Sequence, residues 1–90
     1  MTSVPSKIFL NVRETVIETL GLSMPPSVLD QDSPLLGEIP ELDSMGVVLL
    51  LTALEARFGL TLSDDEIDSE WFRTLGTLTE AIEVRLPQAD

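Results

Sequence analysis

Apolar residues recur at every fourth position near the start of the chain, which is the spacing of one face of an α-helix. These positions are Ile8, Val12, Val16 and Leu20. A half-buried strand would alternate apolar and polar residues, and this segment does not. Gly21 follows directly, and glycine commonly ends a helix. The pattern therefore predicts a first helix over about residues 6–20.

The next stretch, residues 21–42, has neither a helical nor a strand period. Four prolines and Gly37 interrupt regular structure there. A loop of this length is unusual in a compact domain, so we expect its apolar side chains to hold it against the helices. These side chains are Leu29, Leu35, Leu36, Ile39 and Leu42. The same stretch has room for a short helical turn.

A nearly unbroken apolar run follows Asp43 and Ser44 and stops at Gly59. Its length, its Asp-Ser start and its glycine stop favour a helix over residues 44–58 rather than a buried strand. At about 100° per residue, one face carries the core candidates Val47, Leu50, Leu51, Leu54 and Phe58. The flanks and opposite face carry Met45, Val48, Leu49, Thr52, Ala53 and Ala56. A chain of this size cannot bury a helix on every side. The residues of the second set therefore predict a binding face.

The last third of the chain predicts two shorter helices. Ser63 precedes an acidic stretch that suits a helix N-terminus, which predicts a short helix over residues 64–69. A final helix is predicted over residues 77–86, ending before Pro87. The expected fold is a single all-α domain, residues 1–90, built as a four-helix bundle with a long first loop and a short third helix.

Composition narrows the functional classes. The net charge is −11, from 16 acidic and five basic residues, so the chain repels nucleic acids and anionic membranes and attracts basic protein surfaces. No apolar run reaches the length of a membrane span, and residues 1–20 lack the pattern of a secretory signal. We expect a cytoplasmic monomer whose partners include no nucleic acid and which does not insert into membranes.

Ser44 is the candidate site of chemistry. At a helix start, free N–H groups and the positive end of the helix dipole stabilise a phosphate attached to its hydroxyl. The chain has neither Cys nor His, so Ser44 has no obvious base and is better suited to be another enzyme's substrate than a nucleophile. An Asp-Ser pair is also an ordinary helix-cap signal, and taken alone it favours that interpretation.

The acidic stretch after Ser63 invites comparison with a calcium-binding loop. Counted from Asp64, positions six and twelve hold Ser69 and Leu75, where such a loop needs glycine and glutamate. We therefore predict no metal site.

The order of these segments resembles the acyl carrier protein family over nearly the whole chain. The first helix ends Leu-Gly-Leu at residues 20–22, ahead of a proline-bearing loop. Leu-Asp-Ser-Met at 42–45 is similar to the family's Asp-Ser-Leu site, and Leu-Glu-Ala-Arg-Phe at 54–58 is similar to its Leu-Glu-x-x-Phe segment. Asp-Asp-Glu-Ile at 64–67 and Thr-Leu-Gly-Thr-Leu at 74–78 also match.

The resemblance implies that Ser44 carries 4′-phosphopantetheine, transferred from coenzyme A by a phosphopantetheinyl transferase that recognises Asp43. The thiol of that arm would hold an acyl group as a thioester, which explains how a chain without cysteine can do sulfur chemistry. The chain would then be a carrier and not an enzyme, serving acyl-loading and acyl-transfer enzymes. Residues implied to contact these partners are Met45, Val48, Leu49, Thr52, Glu41 and Glu55.

Several residues depart from the carriers of fatty-acid synthesis. Met45 replaces the usual leucine, and acids are common in the family where this chain has Gly46, Leu49, Ala56 and Arg57. These departures favour a dedicated pathway of the polyketide, lipid-modification or polysaccharide kind. The Asp-Ser-Met, Val-Val and Ala-Leu-Glu segments resemble carriers of the exopolysaccharide and exosortase type. A glycine in a first helical turn is costly, which predicts close packing or mobility near the serine.

Two alternatives stay open. The chain could be an unmodified acidic helical module that binds or inhibits a basic partner, which needs no chemistry at Ser44. It could also be an aminoacyl or peptidyl carrier. Such carriers usually show a Gly-Gly-x-Ser site and a less acidic face, and Leu42-Asp43-Ser44 lacks that signature.

Overall fold

The computed structural model describes residues 7–23, 25–63 and 65–86. Within these ranges the chain forms three α-helices and two 3₁₀ turns and has no β-strand. The helices are α1 (Lys7–Leu20), α2 (Ser44–Phe58) and α3 (Leu75–Glu83), and the turns are Pro26–Val28 and Ser69–Phe72. Both α2 and α3 pack against α1. The predicted all-α class is confirmed. The expected helix starts at Ser6 and Asp64 lie outside the described residues.

The core forms between the facing sides of the three helices. The predicted stripe of α1 is buried except for Ile8, which is partly exposed, and Phe9 joins it. On α2, Leu50, Leu51 and Leu54 are buried, while Val47 and Phe58 pack at the edge of the core. The helical period therefore identifies the inward faces of both helices.

The described residues of the long loop between α1 and α2 contribute to the core, as most of its apolar side chains predict. Leu29, Leu35, Ile39 and Leu42 are buried, and Pro26–Val28 supplies the short helical turn. Leu36 was expected inside and is 46% exposed. The N–H groups of Leu35 and Leu36 donate to the carbonyls of Arg73 and Phe72, at 3.2 and 2.9 Å. This pairing fixes the backbone with Leu35 inward, so its neighbour faces solvent.

The predicted third helix over residues 64–69 is wrong. Residues 65–66 form a turn, and a 3₁₀ turn follows from Ser69, capped by the Asp68 carboxylate, which accepts from the Glu70 N–H at 2.9 Å. The Ser63 hydroxyl donates to Glu66, and this bond, with Arg85, holds the pKa of Glu66 below its usual range. Serine and aspartate side chains compete with helical hydrogen bonds, and here they stabilise turns instead.

Helix α3 is displaced from its predicted bounds of 77–86. Thr74 is the residue that caps it, so the helix begins at Leu75 rather than two residues later. At the other end, the N–H groups of Arg85 and Leu86 bond to carbonyls three residues back, which tightens the chain and ends the helix at Glu83. Among the described residues, no helix has both the length and the apolar character needed to cross a bilayer.

Candidate modification site at the start of helix α2

The long loop leads to the start of α2 after pairing with the chain that enters α3. Pro34 lies opposite Thr74 in an isolated antiparallel bridge. The Ile39 N–H then donates to the Leu35 carbonyl and the Leu42 N–H to the Ile39 carbonyl, both at 3.0 Å. Because these side chains are buried, the last part of the loop has a fixed path into α2.

Asp43, rather than Ser44, caps the helix. Its Oδ1 accepts a hydrogen bond from the Gly46 N–H at 2.8 Å, and its backbone is extended. Ser44 is the first helical residue and its side chain is exposed. Within the described chain, the Ser44 hydroxyl makes no hydrogen bond. The capping role that an Asp-Ser pair could have given to the serine therefore belongs to the aspartate, and the serine hydroxyl is available for reaction.

The first turn of α2 leaves two backbone donors open. The Gly46 N–H bonds to the Asp43 side chain, and the Val47 N–H bonds to the Asp43 carbonyl at 2.9 Å. Among the described residues, the N–H groups of Ser44 and Met45 have no acceptor. Free N–H groups at a helix start, together with the helix dipole, stabilise an anion. The geometry thus fits a phosphate on the Ser44 oxygen.

Gly46 packs closely, so close packing, rather than mobility, explains the glycine next to the candidate serine. It is buried, and a β-carbon built on it would lie 2.3 Å from the Glu41 carbonyl oxygen and 3.3 Å from Cδ2 of Leu20. The end of the long loop therefore lies directly on the first turn of α2, where any side chain would collide with it.

The outward side of α2 is apolar and uncharged. Met45, Val48 and Leu49 are 66%, 58% and 50% exposed. The Thr52 hydroxyl donates to the Val48 carbonyl at 3.0 Å, so its bonding capacity is directed into the helix. We call this surface the exposed face of α2, and it consists of Met45, Val48, Leu49, Thr52 and Ala56. It begins beside Ser44, and Thr52 lies roughly 12 Å further along the helix axis.

The charged residues of α2, Glu55 and Arg57, bond to other parts of this chain. The Glu55 carboxylate is half-buried and accepts from the Leu62 N–H at 2.6 Å, which holds the chain after the helix. Arg57 forms ion pairs with Glu14 and Glu18 of α1. Of the two acids implied to meet partners, Glu41 is exposed near Ser44, while Glu55 lies at the side of the helix. No local sequence pattern predicts these ion pairs, because Arg57 lies far from Glu14 and Glu18 along the chain.

The arrangement suits an acceptor of a transferred group. In the described part of the chain, no three His, Cys, Asp or Glu side chains come together as metal ligands. No side chain within that part contacts the Ser44 hydroxyl as a base. An exposed hydroxyl beside open N–H groups can instead receive a phosphate-linked group from a separate enzyme.

Comparisons with known proteins agree with this geometry. Residues 11–82, which include the start of α2, match the family model of the phosphopantetheine attachment site. An acyl carrier protein from Sulfurovum sp. (strain NBC37-1) is 34% identical over 76 residues, which cover 84% of this chain and 95% of that protein. The solution NMR structure of a holo acyl carrier protein from Nitrosomonas europaea aligns with a TM-score of 0.80 and 42% identity, over 88% of this chain and 95% of that one.

The fold and these matches define a carrier that works through a covalently attached 4′-phosphopantetheine. The chain belongs to the acyl carrier protein family. It is accordingly a carrier rather than an enzyme, and the resemblance drawn from its motifs is confirmed.

Proposed function

We propose that the chain carries acyl groups on 4′-phosphopantetheine attached to Ser44 and delivers them to the enzymes of a dedicated cytoplasmic pathway. One observation carries the choice of residue. Asp43 caps α2, so the Ser44 hydroxyl stays exposed and, in the described chain, unbonded next to two open N–H groups. The thiol of the attached arm supplies the thioester on which the acyl group is held.

The residues at the start of α2 have distinct roles in the modification. A phosphopantetheinyl transferase recognises Asp43 and takes the proton of the Ser44 hydroxyl. A bond then forms between Ser44 Oγ and the phosphorus of coenzyme A that bears pantetheine. The bond from that phosphorus to the bridging oxygen of the pyrophosphate breaks, and 3′,5′-ADP leaves with that oxygen. The open N–H groups of Ser44 and Met45 stabilise the negative charge of the phosphodiester produced.

The exposed face of α2 is the proposed contact surface for partner enzymes. Met45, Val48, Leu49 and Thr52 offer a continuous uncharged surface that begins at the attachment residue. Glu41 provides a negative charge near Ser44, and Glu55 adds one at the side of the helix through the carboxylate oxygen that does not bond Leu62. Basic groups of a partner would meet these acids while its apolar groups cover the face.

The same surface supports the proposal of a dedicated pathway. Leu49 and Ala56 leave the face without the acids that the resemblance leads one to expect, and Arg57 is drawn toward α1. A partner matched to this face needs an apolar surface, which a partner built for a strongly acidic helix does not offer.

Intact-mass measurement tests the attachment residue. Folded protein is incubated with coenzyme A and a broad-specificity phosphopantetheinyl transferase, beside Ser44→Ala and, as a matched control, Ser27→Ala. Ser27 is also exposed but lies in a 3₁₀ turn. We expect the wild type and Ser27→Ala to gain the mass of one phosphopantetheine and Ser44→Ala to gain none.

Two results would contradict the proposal. A mass gain in Ser44→Ala would place the arm on another residue. A folded wild type that gains nothing would favour the unmodified acidic interaction module. Loading assays on the modified protein, with acyl groups against amino acids, then separate an acyl carrier from an aminoacyl carrier.

A further inference from the structure

Two glycines of this chain are set apart from the others by the space around them. Gly21, Gly37 and Gly59 adopt positive φ angles, which explains why glycine occupies those positions, and nothing lies near where their β-carbons would be. Gly46 and Gly76 lie in the first turns of α2 and α3 without positive φ, and both are crowded by backbone atoms. Their need for glycine is therefore one of space.

Gly46 makes two contacts that meet at the modification site. Its N–H holds the Asp43 carboxylate at 2.8 Å. Its missing side chain leaves room for the Glu41 carbonyl, whose oxygen and carbon would lie 2.3 and 3.3 Å from a β-carbon. A carbonyl of the main chain cannot swing aside as a flexible side chain can. Any substitution must therefore displace the chain that leads from Glu41 to Ser44.

We propose that Gly46 is a positioning residue for the modification of Ser44. By letting the Glu41 carbonyl lie against the first turn, it fixes Asp43 and Ser44 in the arrangement that the transferase meets. The inference rests on the proposed attachment at Ser44. It adds that the rate of attachment depends on a residue that carries no functional group of its own.

Gly76, in the first turn of α3, provides a matched control because it packs against a different part of the same loop. A β-carbon there would lie 2.8 Å from the Gln31 carbonyl oxygen, which also accepts the Gly76 N–H at 2.9 Å. The crowding is of the same kind, against a loop carbonyl at a helix start. Gly76 lies on α3, outside the proposed site.

The test compares Gly46→Ala with Gly76→Ala in the 90-residue protein. Alanine is a better helix former than glycine, so without the crowding each substitution would raise the melting temperature. We expect both to lower it, by about 5–10 °C. Transfer kinetics are followed by intact mass, at a temperature where circular dichroism shows all proteins folded. We expect kcat/KM for attachment to fall at least about tenfold in Gly46→Ala and to stay at the wild-type value in Gly76→Ala.

Three results would overturn the inference. One is a melting temperature for Gly46→Ala that is equal to or above that of the wild type. Another is the same kcat/KM for both variants when the wild type is modified at Ser44, which leaves the proposed function intact. A wild type that is not modified at Ser44 would overturn both proposals.

A measurement on the wild type tests the close packing of Gly46 should a variant not fold. In labelled protein, the α-protons of Gly46 should show nuclear Overhauser contacts to a Leu20 methyl group, because a β-carbon at Gly46 would lie 3.3 Å from that side chain. The absence of these contacts would show that α2 and the end of α1 are not packed together at this glycine and would overturn the inference.

Discussion

The starts of α2 and α3 share a side-chain cap and a crowded glycine, but their first N–H groups are bonded differently. At α2, Asp43 accepts a hydrogen bond from the N–H three residues later, that of Gly46. At α3, Thr74 accepts from Thr77 in the same way, and the Thr77 hydroxyl accepts the Thr74 N–H in return. Each helix also has a glycine, Gly46 or Gly76, packed against a carbonyl of the long loop.

The difference lies in the first two N–H groups of each helix. At α3, the N–H groups of Leu75 and Gly76 donate to carbonyls of the long loop, both at 2.9 Å. At α2, those of Ser44 and Met45 have no acceptor within the described residues. One loop thus completes the hydrogen bonding at the start of α3 and, within the described residues, leaves the first two N–H groups of α2 without acceptors. A helix start can bind an anion when its first N–H groups have no acceptor in the protein.

Amide hydrogen exchange should show the largest contrast between the two starts. In unmodified protein, we expect the amides of Leu75 and Gly76 to exchange at least about a hundredfold more slowly than those of Ser44 and Met45. The values are read by NMR after correction for intrinsic rates. After attachment to Ser44, the two α2 amides should slow while the α3 amides stay unchanged. Equal protection at both starts before modification would contradict the comparison.

Removal of the caps should give the next largest effect. Thr74→Ala and Asp43→Ala each remove the side-chain acceptor of the N–H three residues later, and each should cost about 1 kcal/mol of unfolding free energy. Urea denaturation measures both. Only Asp43→Ala should also slow attachment, and Thr74→Ser should recover most of the lost stability. An Asp43→Ala variant that is modified at the wild-type rate would show that the α2 cap has no part in attachment.

The charge of the α2 cap should produce the smallest effect. Asp43→Asn keeps an acceptor but loses a charge beside the helix dipole, and should cost about 0.5 kcal/mol at low ionic strength. In a chain of net charge −11, loss of one negative charge also relieves repulsion and so favours folding. The Asp43 oxygen lies only 2.8 Å from the Gly46 nitrogen, so the loss of this local attraction should be the larger effect. Added salt should shrink the cost. For Thr74→Ser the loss should not depend on salt, and a salt-dependent loss there would break the comparison.

Local sequence signals were sufficient for α2 and for the end of α1. The Asp-Ser start and Gly59 stop predict α2 at the bounds that the structure shows, because Gly59 takes the left-handed conformation, with φ 65°, and its N–H bonds the Glu55 carbonyl. The helical period also separates the buried from the exposed face. Where Ser63 and Asp68 bind nearby groups instead, the predicted helix over 64–69 does not form.

The rest of the site depends on contacts that no local pattern contains. Asp43 and Ser44 are both good capping residues, so only the geometry assigns the cap to the aspartate. The place of Gly46 is visible in the sequence as an unfavourable choice, but its reason, the Glu41 carbonyl, requires the path of the loop. Ser44 is thus proposed as the attachment residue from the sequence alone, while the contacts around it required the folded chain.

The proposed recognition of Asp43, added to its capping role, has an evolutionary consequence. If the carboxylate of Asp43 both holds the first turn of α2 and identifies the serine to the transferase, selection for folding and selection for recognition act on the same side chain. A descendant that lost this acid would be weakened as a protein at the same step at which it ceased to be a substrate. Asp43 should therefore resist neutral drift more strongly than either requirement alone would dictate.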